Sequence, residues 1–203
     1  PNIKETFINL NVKTSNISPD DIYDLIHEKY QKPAMKIGMM KVSGNFTGFF
    51  TDFVANGTLT SKVGKIITDI NFKIKEDNKA WYTGNLKLKD FDLRTIFEQE
   101  KLKQITLDGT INGSGLKINN AQFTLNANVD SLRAIDYTYS KIQTNGEFQK
   151  GFFNGYLSVS DPNLNFDGQV EIDLRNNRNK VDINALLIRI NLQPLGLAQE
   201  NIT

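Results

Sequence analysis

The sequence predicts an all-β protein with one short amphipathic helix, in which stacked strands form an elongated, curled sheet. Apolar and polar residues alternate over most of the 203 residues, and this is typical of strands whose successive side chains point to opposite faces. Only one segment has a convincing helical pattern, and one short helix cannot cover the apolar side of so many strands. The sheet must therefore fold on itself or leave apolar surface open.

The alternation is clearest within Asn145–Leu174. Apolar residues or glycines occupy every second position over Phe153–Val159 and again over Leu164–Leu174. Between these runs stands Asp161-Pro162-Asn163, where proline fixes its φ angle and the Asp and Asn side chains are suited to bond the nearby backbone. The segment therefore predicts strand, turn and strand, with one apolar and one polar face.

In chain order, the first element is a short predicted strand over Phe7–Val12, and the predicted helix follows over residues 18–31. Ser18 is a good N-cap and Pro19 suits the first helical position. Apolar side chains recur at a spacing of three and four residues, at Ile22, Leu25, Ile26 and Tyr30. The polar side of this helix is acidic, which disfavours an anionic membrane surface, so we expect the helix to cover part of the sheet.

Further strands are predicted where the alternation resumes. Their apolar positions fall within Met40–Phe50, Ile66–Ile74, Ala80–Leu88, Ile105–Ile111, Ala121–Val129 and Ile135–Tyr139. A short irregular or helical link is expected over Asp92–Glu100. In the last strand, Val181–Leu192, the apolar positions shift from odd to even numbers, which indicates a β-bulge.

We expect one domain over residues 1–203 that contains an internal repeat. Gly48 and Gly57 have the same spacing as Gly146 and Gly155, and this predicts repeat units at about 34–97 and 132–197, as in stacked folds. The chain begins with proline rather than methionine, so we expect it to be an internal piece of a longer protein.

The composition excludes several classes of function. The formal net charge is +1, which provides no basic field for nucleic acid. The chain has no cysteine, so it has neither disulfides nor thiolate metal ligands, and both a reducing cytosol and a bacterial periplasm fit that observation. No stretch of the sequence approaches the roughly 20 apolar residues that cross a bilayer.

A search for reactive groups predicts that the protein is not an enzyme and uses no cofactor or metal. His27 is the single histidine and is expected on the helix surface, where no nucleophile pattern accompanies it. The run from Asp161 resembles a calcium loop, but Phe166 replaces the required glycine and Ile172 replaces the final glutamate. A carbohydrate-active β-solenoid remains an alternative that would need a cleft with two close carboxylates.

Several segments resemble the middle region of TamB proteins, which belong to the AsmA-like group, in the form found in Bacteroidota. The resemblance covers nearly the whole chain, and it rests on the order of low-complexity motifs and on the Asp161-Pro162-Asn163 turn. The motifs lie in Ile17–Ile22, Phe91–Phe97, Leu102–Leu116, Asn128–Leu132 and Asn145–Leu164.

The resemblance implies a β-taco groove, apolar inside, in the periplasm between two membranes. It further implies an inner-membrane anchor outside this chain and an outer-membrane barrel of the Omp85 type that is contacted through other regions. Members of the family are linked to phospholipid transport and to outer-membrane protein assembly. We therefore expect a segment that transfers phospholipid. The alternative is a scaffold that pairs its strand edges with outer-membrane protein clients.

The side chains expected to line a lipid groove come from the apolar face of the predicted strands. Alternation alone fits a closed core as well as an open trough, so the deciding observation is whether this face is open from end to end. The expected lining residues are Leu86, Leu88, Leu107, Ile111, Phe123, Leu125, Phe148, Leu157, Val159, Val170, Ile172 and Ile188.

Overall fold

A computed structural model describes residues 5–24, 28–75, 79–97, 100–175 and 180–196. Within these ranges the chain forms eleven strands and three short helices. The strands are β1 (Ile8–Ile17), β2 (Met40–Phe49), β3 (Asp52–Ser61), β4 (Gly64–Ile74), β5 (Ala80–Asp92), β6 (Leu102–Ser114), β7 (Gln122–Ala134), β8 (Tyr137–Gln149), β9 (Phe152–Ser160), β10 (Leu164–Asp173) and β11 (Lys180–Ile190). The helices are α1 (Pro19–Ile22), α2 (Glu28–Ile37) and α3 (Arg94–Phe97).

All eleven strands belong to one sheet, and their order in the sheet is their order along the chain. Each strand pairs with the next in antiparallel orientation. The two edge strands, β1 and β11, do not pair with each other, so the sheet is open. The predicted all-β fold is confirmed. A single sheet in which each strand pairs with the next along the chain is a β-meander, and this differs from the β-solenoid of the carbohydrate-active alternative.

The sheet has one apolar and one polar face, because directly paired residues of antiparallel strands share a face. Residues on the polar face are mostly exposed, whereas those on the apolar face are mostly half-buried or buried. One sheet contains all the described strands, so no second sheet covers the apolar face. The low exposure of the apolar face therefore shows that the sheet curls around this face and forms a trough.

Bulges at one level of the sheet bend the strands. Relative to its neighbour, one extra residue enters β1 at 13–14, β5 at 89–90, β7 at Asp130 and β11 at Ile188. A bulge bends its strand and increases the local twist, so bulges that line up across the sheet fold it along one line. The bulge predicted in the last strand is confirmed.

The strand ends form two rims of the trough. The helix rim contains α1, α2, α3 and the connections at 62–63, 135–136, 161–163 and 191–196. The turn rim contains the connections at 50–51, 115–121, 150–151 and 174–175, together with residues 75 and 79. The bulges lie on the helix-rim side of the sheet. Among the described residues, the helix rim therefore contains more of the chain than the turn rim does.

The predicted helix over 18–31 is wrong in its extent. It begins as predicted, because Ser18 Oγ accepts a hydrogen bond from the Asp20 amide and the Asp21 carboxylate accepts one from the Ser18 amide. The structure then shows two helices, and α2 continues to Ile37. Gly38, with φ of 73°, follows as a left-handed C-terminal residue. Leu25, Ile26 and His27 lie outside the described residues.

The first strand was predicted over Phe7–Val12, but β1 extends to Ile17, and the remaining strand predictions need two further corrections. Strand β3 was not predicted, because its apolar face includes Ala55 and Gly57, which weaken the alternation. Ile135 was predicted to begin a strand, but it lies in the β7–β8 turn with φ of 56°. The link over Asp92–Glu100 was expected to be irregular or helical, and it contains the short helix α3.

The buried core lies toward the helix rim. Most of its residues come from the helix-rim halves of β5–β10 and from connections at that rim, and the core extends to the middle of β7 and to the far half of β10: Val63, Leu88, Phe91, Leu93, Leu107, Ala127, Val129, Ile142, Val159, Phe166 and Val170. Ile37 of α2 packs against this cluster. Among the described helices, none has the length and apolarity needed to span a membrane. The predicted internal repeat stays a prediction.

Candidate functional site

Four rows of residues cross the apolar face from strand to strand, and each is a continuous chain of directly paired positions. The aliphatic row is Val42, Leu59, Ile66, Leu88, Leu107, Val129, Ile142, Val159, Phe166 and Leu187. The middle row is Val12, Gly44, Gly57, Thr68, Leu86, Gly109, Ala127, Thr144, Leu157, Gly168 and Ala185.

Two further rows lie nearer the turn rim. The mixed row is Leu10, Phe46, Ala55, Ile70, Gly84, Ile111, Leu125, Gly146, Gly155, Val170 and Ile183. The aromatic row is Ile8, Gly48, Phe53, Phe72, Tyr82, Gly113, Phe123, Phe148, Phe153, Ile172 and Val181. Neighbouring strands lie about 4.8 Å apart, so each row offers a side chain or a glycine at that spacing, and apart from Thr68 and Thr144 of the middle row and Tyr82 of the aromatic row these are apolar residues or glycines.

The structure places all but one of the predicted lining residues in these rows. The aliphatic row contains Leu88, Leu107 and Val159, the middle row Leu86 and Leu157, the mixed row Ile111, Leu125 and Val170, and the aromatic row Phe123, Phe148 and Ile172. Ile188 is the exception. It is the extra residue of the β11 bulge and is 62% exposed, while Leu187 pairs with Phe166 and completes the aliphatic row.

The rows differ in how far they are covered. From Leu88 to Phe166 the aliphatic row is buried, so its side chains cover one another and form a core. Most bulky side chains of the mixed and aromatic rows on β3–β7 are half-buried, among them Ile111, Phe123 and Leu125. The trough is thus filled along its helix-rim side and partly open along its turn-rim side.

The two ends of the trough are open because the edge strands have a neighbour on one side only. In the mixed row, Val170 of β10 is 2% exposed, whereas its partner Ile183 on β11 is 59% exposed. At the other end, Leu10 of β1 is also exposed. Apolar surface of the rows therefore continues to both edges of the sheet.

Aromatic contacts reinforce the turn-rim side. The ring centroids of Phe53 and Phe72 are 5.0 Å apart, and those of Phe123 and Phe148 are also 5.0 Å apart, distances at which aromatic pairs attract. Tyr82 lies between these pairs in the row and donates its hydroxyl hydrogen to the Gly115 carbonyl at 2.9 Å. Tyr82 is half-buried, and burial raises its pKa to about 12.

A polar cluster fixes the β9–β10 turn at the helix rim. The carboxylate of Asp161, a residue only 2% exposed, accepts hydrogen bonds from the Tyr137 hydroxyl at 2.5 Å, the Ser140 hydroxyl at 2.8 Å and the Ser140 amide at 3.0 Å. It also accepts one from the Asn163 amide at 2.9 Å. Burial raises the pKa of Asp161, but these hydrogen bonds outweigh burial and leave the pKa below its ordinary value.

These hydrogen bonds give the first residue of the calcium-like run, Asp161, a structural role that involves no metal ion. Both carboxylate oxygens of Asp161 are occupied by donors from the protein, so the residue serves as a structural anchor of the turn. Across the ranges that the structure describes, no group of three or more His, Asp or Glu side chains is placed to hold a metal ion. The backbone bond predicted for this turn is confirmed for Asp161, whereas the Asn163 side chain bonds the Tyr137 hydroxyl and the Asn191 side chain instead.

Sequence reasoning missed part of the trough. Phe46, Phe53, Ile70 and Phe72 of β2–β4 lie in the same rows as the predicted lining, and the rings of Phe46 and Phe53 are 4.5 Å apart. Their alternation was visible in the sequence for β2 and β4, but the small residues of β3 hid the strand that connects them. The apolar face therefore extends further toward β1 than the predicted lining.

The chain was compared with protein-family models, with curated proteins and with solved structures, and none of the three comparisons gave a match.

Proposed function

We propose that this chain is a lipid-conducting segment of a longer periplasmic protein that carries phospholipid between the inner and outer membranes. The observation that supports the proposal is the continuity of the mixed, middle and aromatic rows across all eleven strands. A contiguous exposed apolar surface often marks a binding site. Acyl chains would lie across the strands, along the rows.

The energetics of such a surface suit movement. Burial of an acyl chain contributes about 0.8 kcal/mol per methylene and has no directional requirement. Because the rows continue from strand to strand, a lipid that advances by one strand would exchange one set of non-directional contacts for another. A continuous trough can therefore bind a lipid without holding it in one place.

Within this proposal the rows have different roles. The buried aliphatic row holds the sheet in its curl, and the half-buried side chains of the other rows contact lipid, with Leu86, Ile111, Phe123, Leu125, Leu157 and Ile172 as the accessible members of the expected lining. The function needs no catalytic residue and no cofactor. The membrane anchor and the Omp85-type barrel that the proposal also includes would engage parts of the protein outside this chain.

Lipid binding is tested directly by native mass spectrometry of the gently purified chain, which should show bound phospholipid. A photo-crosslinking amino acid at Leu157, on the apolar face, should label lipid, and the same amino acid at Tyr156, on the polar face of the same strand, should not. The absence of bound phospholipid together with equal labelling at the two positions would contradict the proposal.

Lipid transfer is tested by a charge placed in the trough. Leu157→Arg in the full-length protein should block transfer of fluorescent phospholipid between donor and acceptor vesicles, because a charge in the trough must be desolvated as each lipid passes. Tyr156→Arg is the matched control and should transfer at the parent rate. Circular dichroism of both variants checks that the sheet still forms. Transfer at the parent rate by a folded Leu157→Arg protein would count against the proposal.

A second candidate function, a scaffold for outer-membrane protein assembly, is favoured by the structure of β11. This edge strand exposes Val181, Ile183 and Leu187 on its apolar side, and Leu186, on the polar side, is 69% exposed. A long apolar edge strand is a ready template for pairing with another strand. A client strand added to β11 would bury these side chains.

Different substitutions should impair the two candidate functions. Leu186→Lys places a charge beside the β11 edge without entering the trough, and it should reduce crosslinking of β11 to client peptides while leaving lipid transfer unchanged. Leu157→Arg should leave client crosslinking intact. If Leu186→Lys slowed lipid transfer and left client crosslinking unaltered, the scaffold would be excluded as the role of β11.

A further inference from the structure

One side chain of the trough has a polar group without a partner. Thr144 lies in the middle row between Ala127 and Leu157, and the residue is 8% exposed. Among the residues that the structure describes, its hydroxyl oxygen is the single buried side-chain nitrogen or oxygen atom that forms no hydrogen bond with the protein. Buried polar groups are almost always hydrogen-bonded. The hydroxyl of Thr144 therefore needs an explanation that packing does not provide.

The other threonine of the middle row shows how such a hydroxyl is satisfied within the protein. Thr68 on β4 donates its hydroxyl hydrogen to the Asn85 carbonyl at 2.8 Å. At Thr144 no such acceptor is within reach, and an unsatisfied buried hydroxyl destabilises a fold relative to an apolar group of similar shape. Threonine at this position therefore costs stability that valine would not cost.

Backbone lines the space next to Thr144. Gly146 follows two residues later on the same face of β8, and it pairs with Gly155 of β9. A Cβ atom at Gly146 would lie 2.6 Å from Cζ of Phe153, and a Cβ atom at Gly155 would lie 2.9 Å from the same atom. The Phe153 ring therefore lies over both glycines and occupies the space that larger residues at these positions would fill.

The glycine pair, Gly146 and Gly155, forms the floor of a slot in the mixed row. Its neighbours in that row are Leu125 on β7 and Val170 on β10, and Thr144 borders it on the helix-rim side. Phe153 is half-buried and belongs to the aromatic row, on the turn-rim side. Rotation of its side chain toward the turn rim would uncover the glycine pair without a movement of the backbone.

We infer that Thr144 makes the trough selective for ester-linked lipid, by donating its hydroxyl hydrogen to an acyl ester carbonyl that lies over the glycine pair. The inference rests on the proposed lipid function. An ester carbonyl accepts hydrogen bonds and donates none, so it matches a hydroxyl whose hydrogen is unused. The hydrocarbon chain of the same lipid would continue along the mixed row over Leu125. One hydrogen bond gives the lipid a preferred position but is too weak to hold it there.

Competition between two phospholipids with the same headgroup and chain length tests the inference. One has ester-linked chains, and the other has ether-linked chains, which lack the carbonyl. Native mass spectrometry of the chain with an equimolar mixture should show the ester lipid bound in about fivefold excess, as one hydrogen bond would give. Thr144→Val should abolish this preference, and Thr144→Ser, which keeps the hydroxyl, should retain it. Thr110→Val is the matched control that should also retain it, because Thr110 is exposed on the polar face of β6.

The outcomes separate this inference from the proposed function. Equal binding of the two lipids by the parent chain would overturn the inference and leave lipid binding in place, whereas binding of neither lipid would overturn both. A preference that survives in Thr144→Val, or one that is lost in Thr144→Ser, would also overturn the role of the hydroxyl.

Urea denaturation without lipid checks that the hydroxyl of Thr144 has no partner in the protein. Thr144→Val should unfold at a higher urea concentration than the parent chain, because it removes an unsatisfied buried group. A midpoint that is not higher would show that the hydroxyl already forms a hydrogen bond within the fold, and the inference would then fail.

Discussion

The helix rim and the turn rim border the same sheet, yet they leave its apolar face in different states. At the helix rim, the connecting segments contribute Val63 and Leu93 to the core, the end of β5 contributes Phe91, and Ile37 of α2 packs against it. Among the described connections of the turn rim, none contributes a residue to this core. The helix-rim rows are consequently buried, and the turn-rim rows remain partly open.

Along each strand, the difference separates the side chains that stabilise the fold from those that the proposed lipid binding would use. Leu107 and Ile111 both lie on the apolar face of β6, but Leu107 is 5% exposed and Ile111 is half-buried. The first contributes to the core, and the second faces the open part of the trough. One alternating pattern therefore supplies both buried core residues and partly open apolar residues, and the nearer rim decides which of the two a residue becomes.

The largest expected effect comes from truncation of these two residues. Leu107→Ala should lower the free energy of unfolding by about 3 kcal/mol, as deletion of a buried leucine side chain does. Ile111→Ala should lower it by about 1 kcal/mol, because less apolar surface is withdrawn from water. Urea denaturation of both variants measures the difference. Equal losses would show that the two rims do not divide the apolar face.

The next effect concerns the polar cluster of the helix rim. Asp161→Asn should lower the free energy of unfolding by about 2 kcal/mol at neutral pH, because the new amide group must face donors such as the Ser140 amide. The folded pKa of Asp161 is lowered, so the carboxylate's contribution is complete above about pH 4 and is lost as the pH falls through the folded pKa.

Urea midpoints of the parent chain and of Asp161→Asn, measured at neutral pH and at about pH 3, test this linkage. The gap between the two proteins should narrow in acid. A gap that stays constant over this range would mean that the charge of Asp161 does not stabilise the turn.

The smallest effect is expected at the turn rim. Tyr82→Phe removes the hydrogen bond to the Gly115 carbonyl and should lower the free energy of unfolding by about 1 kcal/mol. The pKa of Tyr82 is raised to about 12, so its contribution is present below about pH 10 and is lost as the pH rises through the folded pKa.

Ultraviolet absorbance of the phenolate, compared between the parent chain and Tyr82→Phe, isolates the titration of this side chain. The difference should develop near pH 12. A difference that developed near the ordinary pKa of tyrosine, about 10, would place the Tyr82 ring in water and the aromatic row outside the trough.

Much of the fold could be predicted because alternation is a local property of the chain. The strand and turn positions within Asn145–Leu174 and the cap at Ser18 follow from neighbouring residues. The errors have physical causes. Strand β3 presents alanine and glycine on its apolar face, and α2 depends on a C-terminal glycine, Gly38, beyond the expected helix end.

The sequence by itself determined which residues face the apolar side, since a period of two assigns faces without knowledge of any partner. It also determined that β11 contains a bulge. Only the tertiary structure decided that Leu187, by pairing with Phe166, takes the row position expected for Ile188. It likewise decided which rows are core and which are open, because burial depends on segments far apart in the chain that meet at one rim and not at the other.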